Sequence, residues 1–212
     1  MIKLEFEGTD GAGKTTGLKY FIEKAKALGL NIVETREVGN PNVPICVKLR
    51  EVVLSPDSNL SGESMEFIFS AMRLENDRWL KTLQLNVDMV VSDRGWFSHL
   101  AYTDHNVTPE FTKALFGLVG QMTDLPNVVI YFNVNTETAL KRRVKRGEAM
   151  DVIEMKGIEY QELVRKSFKK YMDDPEFKNI QIFQVDANDT IEGVRAQLDS
   201  ILNSLFVKEK AQ

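Results

Sequence analysis

Residues Gly8-Thr9-Asp10-Gly11-Ala12-Gly13-Lys14-Thr15 follow the pattern Gly-x4-Gly-Lys-Thr, the spacing of a loop that wraps phosphate. Glycines let the backbone bend so that successive N–H groups converge on phosphate oxygens. A helix beginning at Lys14 adds unsatisfied N–H groups and the positive end of its dipole. In such a loop Lys14 reaches the β- and γ-phosphates and the Thr15 hydroxyl binds Mg²⁺. Gly8, Asp10, Gly11, Ala12, Gly13, Lys14, Thr15 and Thr16 are therefore expected to hold a nucleoside triphosphate.

A second polar pair ends an apolar run. Met89-Val90-Val91-Ser92 leads directly into Asp93-Arg94. An acidic residue at the carboxyl end of a neighbouring strand is placed to hold Mg²⁺, here through water. The fixed fork of donors on Arg94 suits a phosphate in the same crevice. The plainer alternative is a turn held by an Asp–Arg pair. No Asn-Lys-x-Asp guanine-reading motif follows, which disfavours a signalling GTPase. No basic, aromatic-interleaved stretch of the kind helicases use is present.

The elements that must position these residues alternate. Short β-branched or aromatic runs at 2–6, 31–35, 89–92, 128–134 and 180–185 read as strands. Several are apolar without alternation, as in strands buried on both faces of a parallel sheet. Helical patterns fall at 15–28, 45–54, 63–85, 109–122, 136–146, 154–172 and 191–205, with loops at 55–62 and 173–179. Strand and helix in alternation imply an α/β doubly wound fold.

The chain has 212 residues, enough to bury a substantial core and still be one domain, and its net charge of −4 argues against a general nucleic-acid binder. The single cysteine, Cys46, allows no intrachain disulfide, and with 2 histidines a structural zinc site is not expected. No signal-peptide layout and no membrane-spanning apolar run is seen, so the expected location is the cytoplasm.

Nearly end to end, the chain resembles the thymidylate kinases. Phe6-Glu7-Gly8-Thr9-Asp10-Gly11-Ala12-Gly13-Lys14-Thr15-Thr16 is similar to the family's Phe-Glu-Gly-x-Asp/Glu-Gly-x-Gly-Lys-Thr-Thr. An acidic loop residue is not part of the general phosphate-loop pattern. By resemblance, Asp10 sits near the acceptor sugar. Thr35-Arg36-Glu37 resembles Thr-Arg-Glu-Pro-Gly-Gly-Thr, but Val38 replaces the proline and the segment runs about two residues longer before Arg50. By resemblance, Arg50 faces the acceptor phosphate, and Arg36 is counted with it among the substrate-binding residues.

Phe69-Ser70-Ala71-Met72-Arg73 is similar to the family's Phe-x-Ala-x-Arg helix. Phe69 and Arg73 are four apart and share a helix face. Residues alone favour a core Phe69 and a surface salt-bridging Arg73. The resemblance instead implies stacking on a pyrimidine and donation to a base oxygen.

The stretch from Asp93 to Tyr102 resembles Asp-Arg-x-x-x-Ser-x-x-Ala-Tyr-Gln, with Thr103 in place of the glutamine. By resemblance, Arg94 grips the monophosphate, Ser98 lines the site and Tyr102 packs where a ribose 2′-hydroxyl would lie. His99 receives no role. Lys141-Arg142-Arg143-Val144-Lys145-Arg146 resembles the lid of family members that carry Gly at position 11 and place their catalytic arginines there. Arg142 and Arg146 lead as candidates, with Arg143 behind them. Val152 stands where the lid signature has arginine. A solvated helix face is the alternative for most of this charge run.

The resemblance implies a three-layer P-loop NTPase fold with a five-stranded parallel sheet and a short helical lid at about 141–156. The implied reaction is ATP- and Mg²⁺-dependent phosphorylation of a deoxynucleoside monophosphate, dTMP first. The expected catalytic group is Asp10, Lys14, Asp93, Arg94, Arg142 and Arg146. Family members are commonly homodimers, and no nucleic acid or membrane partner is expected. Departures from the motifs suit a viral or phage member, acting in the host cytoplasm. The alternatives are a kinase of other or more deoxynucleoside monophosphates, a deoxynucleoside kinase, and a non-catalytic nucleotide-binding module.

Overall fold

The computed structural model describes residues 1–83, 86–146 and 153–206. Five parallel strands, β1 (Ile2–Glu7), β2 (Ile32–Arg36), β3 (Met89–Asp93), β4 (Val128–Asn133) and β5 (Gln181–Asp186), form one sheet in the order β2-β3-β1-β4-β5. The helices are α1 (Lys14–Ala27), α2 (Pro44–Leu54), α3 (Gly62–Leu80), α4 (Trp96–Thr103), α5 (Pro109–Gly120), α6 (Thr136–Arg146), α7 (Gly157–Met172) and α8 (Ile191–Phe206).

The sheet divides two cores. Leu4, Phe6, Ile130 and Phe132 pack with Leu18 and Phe21 of α1 and Leu198 of α8. Val129 and Tyr131 face the other way, onto Phe97 of α4 and Val164 and Phe168 of α7. Glu5 and Glu7, which alternate with Leu4 and Phe6, are fully buried. This is the α/β/α layering expected from unalternating apolar strands.

Register positions the site. Phe6 and Arg36 both pair with Asp93, so β1, β2 and β3 end at one level. Glu7-Gly8, Glu37 and Arg94 emerge there together, at the carboxyl edge where open parallel sheets bind ligands.

Three elements differ from expectation. α3 stops at Leu80 rather than reaching 85; residues 84 and 85 lie outside the described residues. The helix expected at 154–172 is a 3₁₀ turn, Glu154–Lys156, followed by α7, and Gly157 at φ +84° makes the break. α4 was not expected as a helix. It is buried nearly all round, at Trp96, Phe97, Ser98, His99, Leu100, Ala101 and Thr103, so it shows no amphipathic period.

Candidate active site

β1 runs out into the glycine loop. Gly8 (φ +141°) and Gly11 (φ +84°) adopt backbone that L side chains avoid. A Cβ on Gly11 would lie 2.3 Å from the Ala139 carbonyl of α6, so the loop is seated against that helix. No side chain caps α1 at Gly13, which leaves the helix N-terminus to an anion. Lys14 Nζ donates to Thr9 O at 2.8 Å. Burial, followed by the nearby Arg94 charge, pushes the Lys14 ammonium down to about 8.

Thr15 Oγ1 donates to Asp93 Oδ2 at 2.9 Å. Hydroxyl and carboxylate thus converge from α1 and β3. Among the described residues no group of three or more His, Cys, Asp or Glu could hold a metal. The oxygen pair fits a hard cation that completes its shell with water and phosphate oxygens, which is the habit of Mg²⁺.

Arg94 knots the loop to the rest. Its φ is +67°, a strained conformation for a side chain of this size. Nη1 donates to Gly8 O and to Ser98 Oγ, each at 3.0 Å. Nη2 forms an ion pair with Asp10 Oδ1. Tyr102 donates its hydroxyl to Asp10 Oδ2 at 3.1 Å. Burial opposes the Asp10 charge, but Arg94 and Lys14 outweigh it and hold the carboxyl at about 2. Burial likewise opposes the Arg94 charge, and Tyr102, Asp10, Asp93 and Glu7 overcome it and raise its pKa further.

The turn carrying Arg94 is held by two carboxyl groups from β1. Glu5 Oε2 accepts from Trp96 N at 3.0 Å, and Glu7 accepts from Ser98 N at 3.0 Å and from the Ser98 hydroxyl. They cap α4 from 91 residues away, which a local capping motif cannot reveal. A Cβ on Gly95 would sit 2.0 Å from Glu5 Cδ, so glycine is required beside the buried carboxyl. Burial, then the charges of Glu7 and Glu37, pushes Glu5 up to about 8. Burial also raises Glu7, against the Ser98 hydrogen bonds.

A cleft opens beyond this knot, with Asp10, Arg94, Ser98 and Tyr102 at one end and Phe69 and Arg73 at the other. Arg73 is salt-bridged, as residues alone favoured, but its partner is the buried Glu37, at 2.7 Å, and not a surface group. Its guanidinium lies 4.4 Å from the Trp96 ring centroid. Nε and Nη1 of Arg73 are buried and meet no protein acceptor. Phe69 is both core and cleft wall. Asn76 Nδ2 steadies Glu37 at 3.0 Å, and Asn76 Oδ1 accepts from Asn40 at 2.7 Å.

Arg50 lines the cleft and donates to Val38 O at 2.8 Å, so the longer loop keeps it there. Arg36 donates to Gly39 O at 3.1 Å and is not part of the cleft wall. Arg142 donates to Ala187 O at 2.8 Å, away from the cleft. Arg143, ranked below it from sequence, is close enough for its charge to help depress Asp10. The Arg146 side chain, Asp151 and Val152 lie outside the described residues.

Glu5, Glu7, Glu37, Glu66 and His99 join the site without having been singled out for it. For Glu66 a signal existed: it lies three and seven residues before Phe69 and Arg73, on their helix face.

Comparison with known proteins places this sequence among relatives. A family model described as thymidylate kinase matches residues 6–198. The chain is 30% identical over 208 residues to a thymidylate kinase of Pseudomonas fluorescens (strain Pf0-1), covering 96% of this chain and 95% of that one. It is 33% identical over 178 residues to one from Enterococcus faecalis (strain ATCC 700802 / V583), covering 80% and 81%. With one from Pelodictyon phaeoclathratiforme (strain DSM 5477 / BU-1) the identity is 25% over 214 residues, covering 96% of both.

Proposed function

We propose an activity on a plain premise: the chain belongs to the thymidylate kinase family, a family of phosphotransferases. The proposed reaction is transfer of the γ-phosphoryl group of ATP to dTMP, giving ADP and dTDP. The observation that carries it is the reach of Arg94, whose one guanidinium touches Gly8 O and Asp10 of the phosphate loop and Ser98 of the cleft. Acceptor and donor sites share a single cation at their boundary.

A phosphate oxygen of dTMP attacks the γ-phosphorus in line. The new P–O bond forms as the bond to the β,γ-bridging oxygen breaks, and ADP leaves. Both reactants are anions, so catalysis is alignment plus charge neutralisation. Lys14 exchanges Thr9 O for phosphate oxygens, and phosphate charge restores its full ammonium character. Thr15 and Asp93 would hold Mg²⁺, which neutralises phosphate charge. Arg94, with Arg50 of the same cleft wall, grips the acceptor phosphate. Phe69 stacks on the base and Arg73 donates to a base carbonyl. The Tyr102–Asp10 pair packs against the sugar and favours deoxyribose. A lid arginine covers the transferring group and closure keeps water out.

The proposed catalytic unit is the whole of residues 1–212, with its lid at about 141–156. Self-association through α3 and α5 is part of the reading. Phe67 is 58% exposed yet stacks edge-on with Phe111 of α5, and Leu118, on the same helix, is exposed as well. No helix among the described residues is long and apolar enough to cross a membrane.

Product analysis tests the reaction. ATP, Mg²⁺ and dTMP are expected to give ADP and dTDP in equal amounts, and thymidine to give nothing. Phosphorylation of thymidine but not dTMP would replace this reading with a nucleoside kinase.

A further inference from the structure

The base end of the cleft holds a buried pair that the reaction above does not use. His99 of α4 and Glu66 of α3 both line it. Their side chains are only 5% and 1% exposed, and His99 Nε2 lies 2.9 Å from Glu66 Oε2. Glu66 also accepts from Thr103 Oγ1 at 2.7 Å and from Asn106 Nδ2 at 3.4 Å. A carboxylate surrounded by donors takes another donor from the imidazole, so the Nε2 proton is the one His99 carries. Burial, followed by the positive charge of Arg73, lowers the imidazole's pKa against the pull of Glu66, which favours the neutral ring. In that tautomer Nδ1 is a bare acceptor. It is buried and meets no partner in the protein.

Arg73, in the same wall, offers the opposite. Glu37 takes Nη2, while Nε and Nη1 are donors without acceptors. The residues lining the cleft therefore carry a donor and an acceptor that no protein group uses, beside Phe69, whose ring meets the imidazole edge to face at 6.0 Å. A keto pyrimidine carries a carbonyl acceptor next to an N–H donor on one edge. Cytosine carries the reverse, an amino donor next to a bare ring nitrogen.

We propose that the Glu66–His99 pair is a specificity determinant: Glu66 fixes the His99 tautomer, and His99 Nδ1 accepts from the ring N–H of a keto pyrimidine whose carbonyl faces Arg73. The inference rests on the dTMP reading of the cleft. Glu66 acts through His99 and is a positioning residue. Binding a cytosine would set donor against donor and acceptor against acceptor in a buried wall, and sites built to hydrogen-bond a polar group reject the mismatch strongly.

The first test is a ratio of kcat/KM for dTMP and dCMP. His99→Phe keeps an aromatic of similar bulk and removes the acceptor. It is expected to lower the dTMP-to-dCMP ratio at least about tenfold, through KM for dTMP, with KM for ATP unchanged. Glu66→Gln keeps volume but can donate to Nε2 and so move the proton to Nδ1. It is expected to shift the same ratio in the same direction. Folded variants with the wild-type ratio would overturn the inference alone. A wild-type enzyme that does not turn over dTMP would overturn the function and the inference together.

A readout independent of turnover guards against variants that fail to fold. The chain has 2 histidines, so ¹⁵N-histidine spectra of the wild type and of His105→Gln assign His99. The expected result is a protonated Nε2 and a bare Nδ1 whose resonance moves on adding dTMP and stays put with dCMP. A protonated Nδ1, or one that ignores dTMP, would overturn the proposal.

Discussion

Within the cleft, Arg73 rests against Glu37 and Arg94 against Asp10. At the phosphate end, Lys14 rests on a backbone carbonyl and Arg142 on another, Ala187 O. One end has its charges matched by protein anions before any ligand arrives. The other has Lys14 and Arg142 resting on neutral backbone oxygens, which the proposed reaction exchanges for phosphate. The contrast separates recognition from chemistry. The acceptor wall is held by the fold and must be stable without substrate, whereas the phosphate end reaches full charge complementarity only when the nucleotide supplies it.

Substitutions at the two ends should therefore fail differently. Lys14→Ala is expected to lower kcat/KM roughly 10³-fold, the loss typical of removing a preorganised charge-stabilising donor, with the melting temperature nearly unchanged. Normal turnover in the folded variant would end the account. Arg73→Ala should do the opposite in kind. It strips a buried ion pair of one partner and leaves Glu37 uncompensated, which costs about 3 kcal/mol of stability, measurable by urea unfolding. A variant as stable as the parent would show that the acceptor wall is not held this way.

Arg94→Ala probes the boundary itself. KM for the monophosphate is expected to rise about 100-fold, and that for ATP far less, by the worth of one charge-assisted phosphate clamp. Equal rises would remove Arg94 from the acceptor side. In the lid, Arg143→Ala is expected to slow kcat about tenfold and Arg142→Ala less, because the Arg143 charge helps depress Asp10 while Arg142 rests on Ala187 O. The reverse order would restore Arg142 as the catalytic candidate.

The smallest effect concerns pH. Burial raises the Glu5 carboxyl from 4.5 to about 8, so the folded protein holds a proton that the unfolded chain releases. Its contribution to stability is complete below pH 4.5 and is lost as pH rises through about 8. Glu5→Gln should flatten the fall in stability across that window, and an unchanged pH profile would rule Glu5 out as its cause.

How much of this could be read from the chain depends on distance along it. The phosphate loop, Lys14, Thr15 and the Asp93-Arg94 strand end are local patterns, and the structure brings them together as a local reading implies. Phe69 and Arg73 were legible as one helix face, but Arg73's burial was not, because its partner Glu37 lies on another element. α4 was invisible for the same reason. Its N-terminus is capped by Glu5 and Glu7 across the sheet, and its burial on all sides erases the period that marks surface helices. His99 received no role from the sequence, since its partner Glu66 comes from another helix.

The most direct measurement is a calorimetric titration of dTMP into the protein without ATP or Mg²⁺, with UMP as the control. The account predicts that dTMP binds the nucleotide-free protein, that UMP binds far more weakly, and that adding ADP and Mg²⁺ changes the dTMP affinity little. Absence of dTMP binding until the phosphate end is filled, or equal binding of UMP, would contradict it.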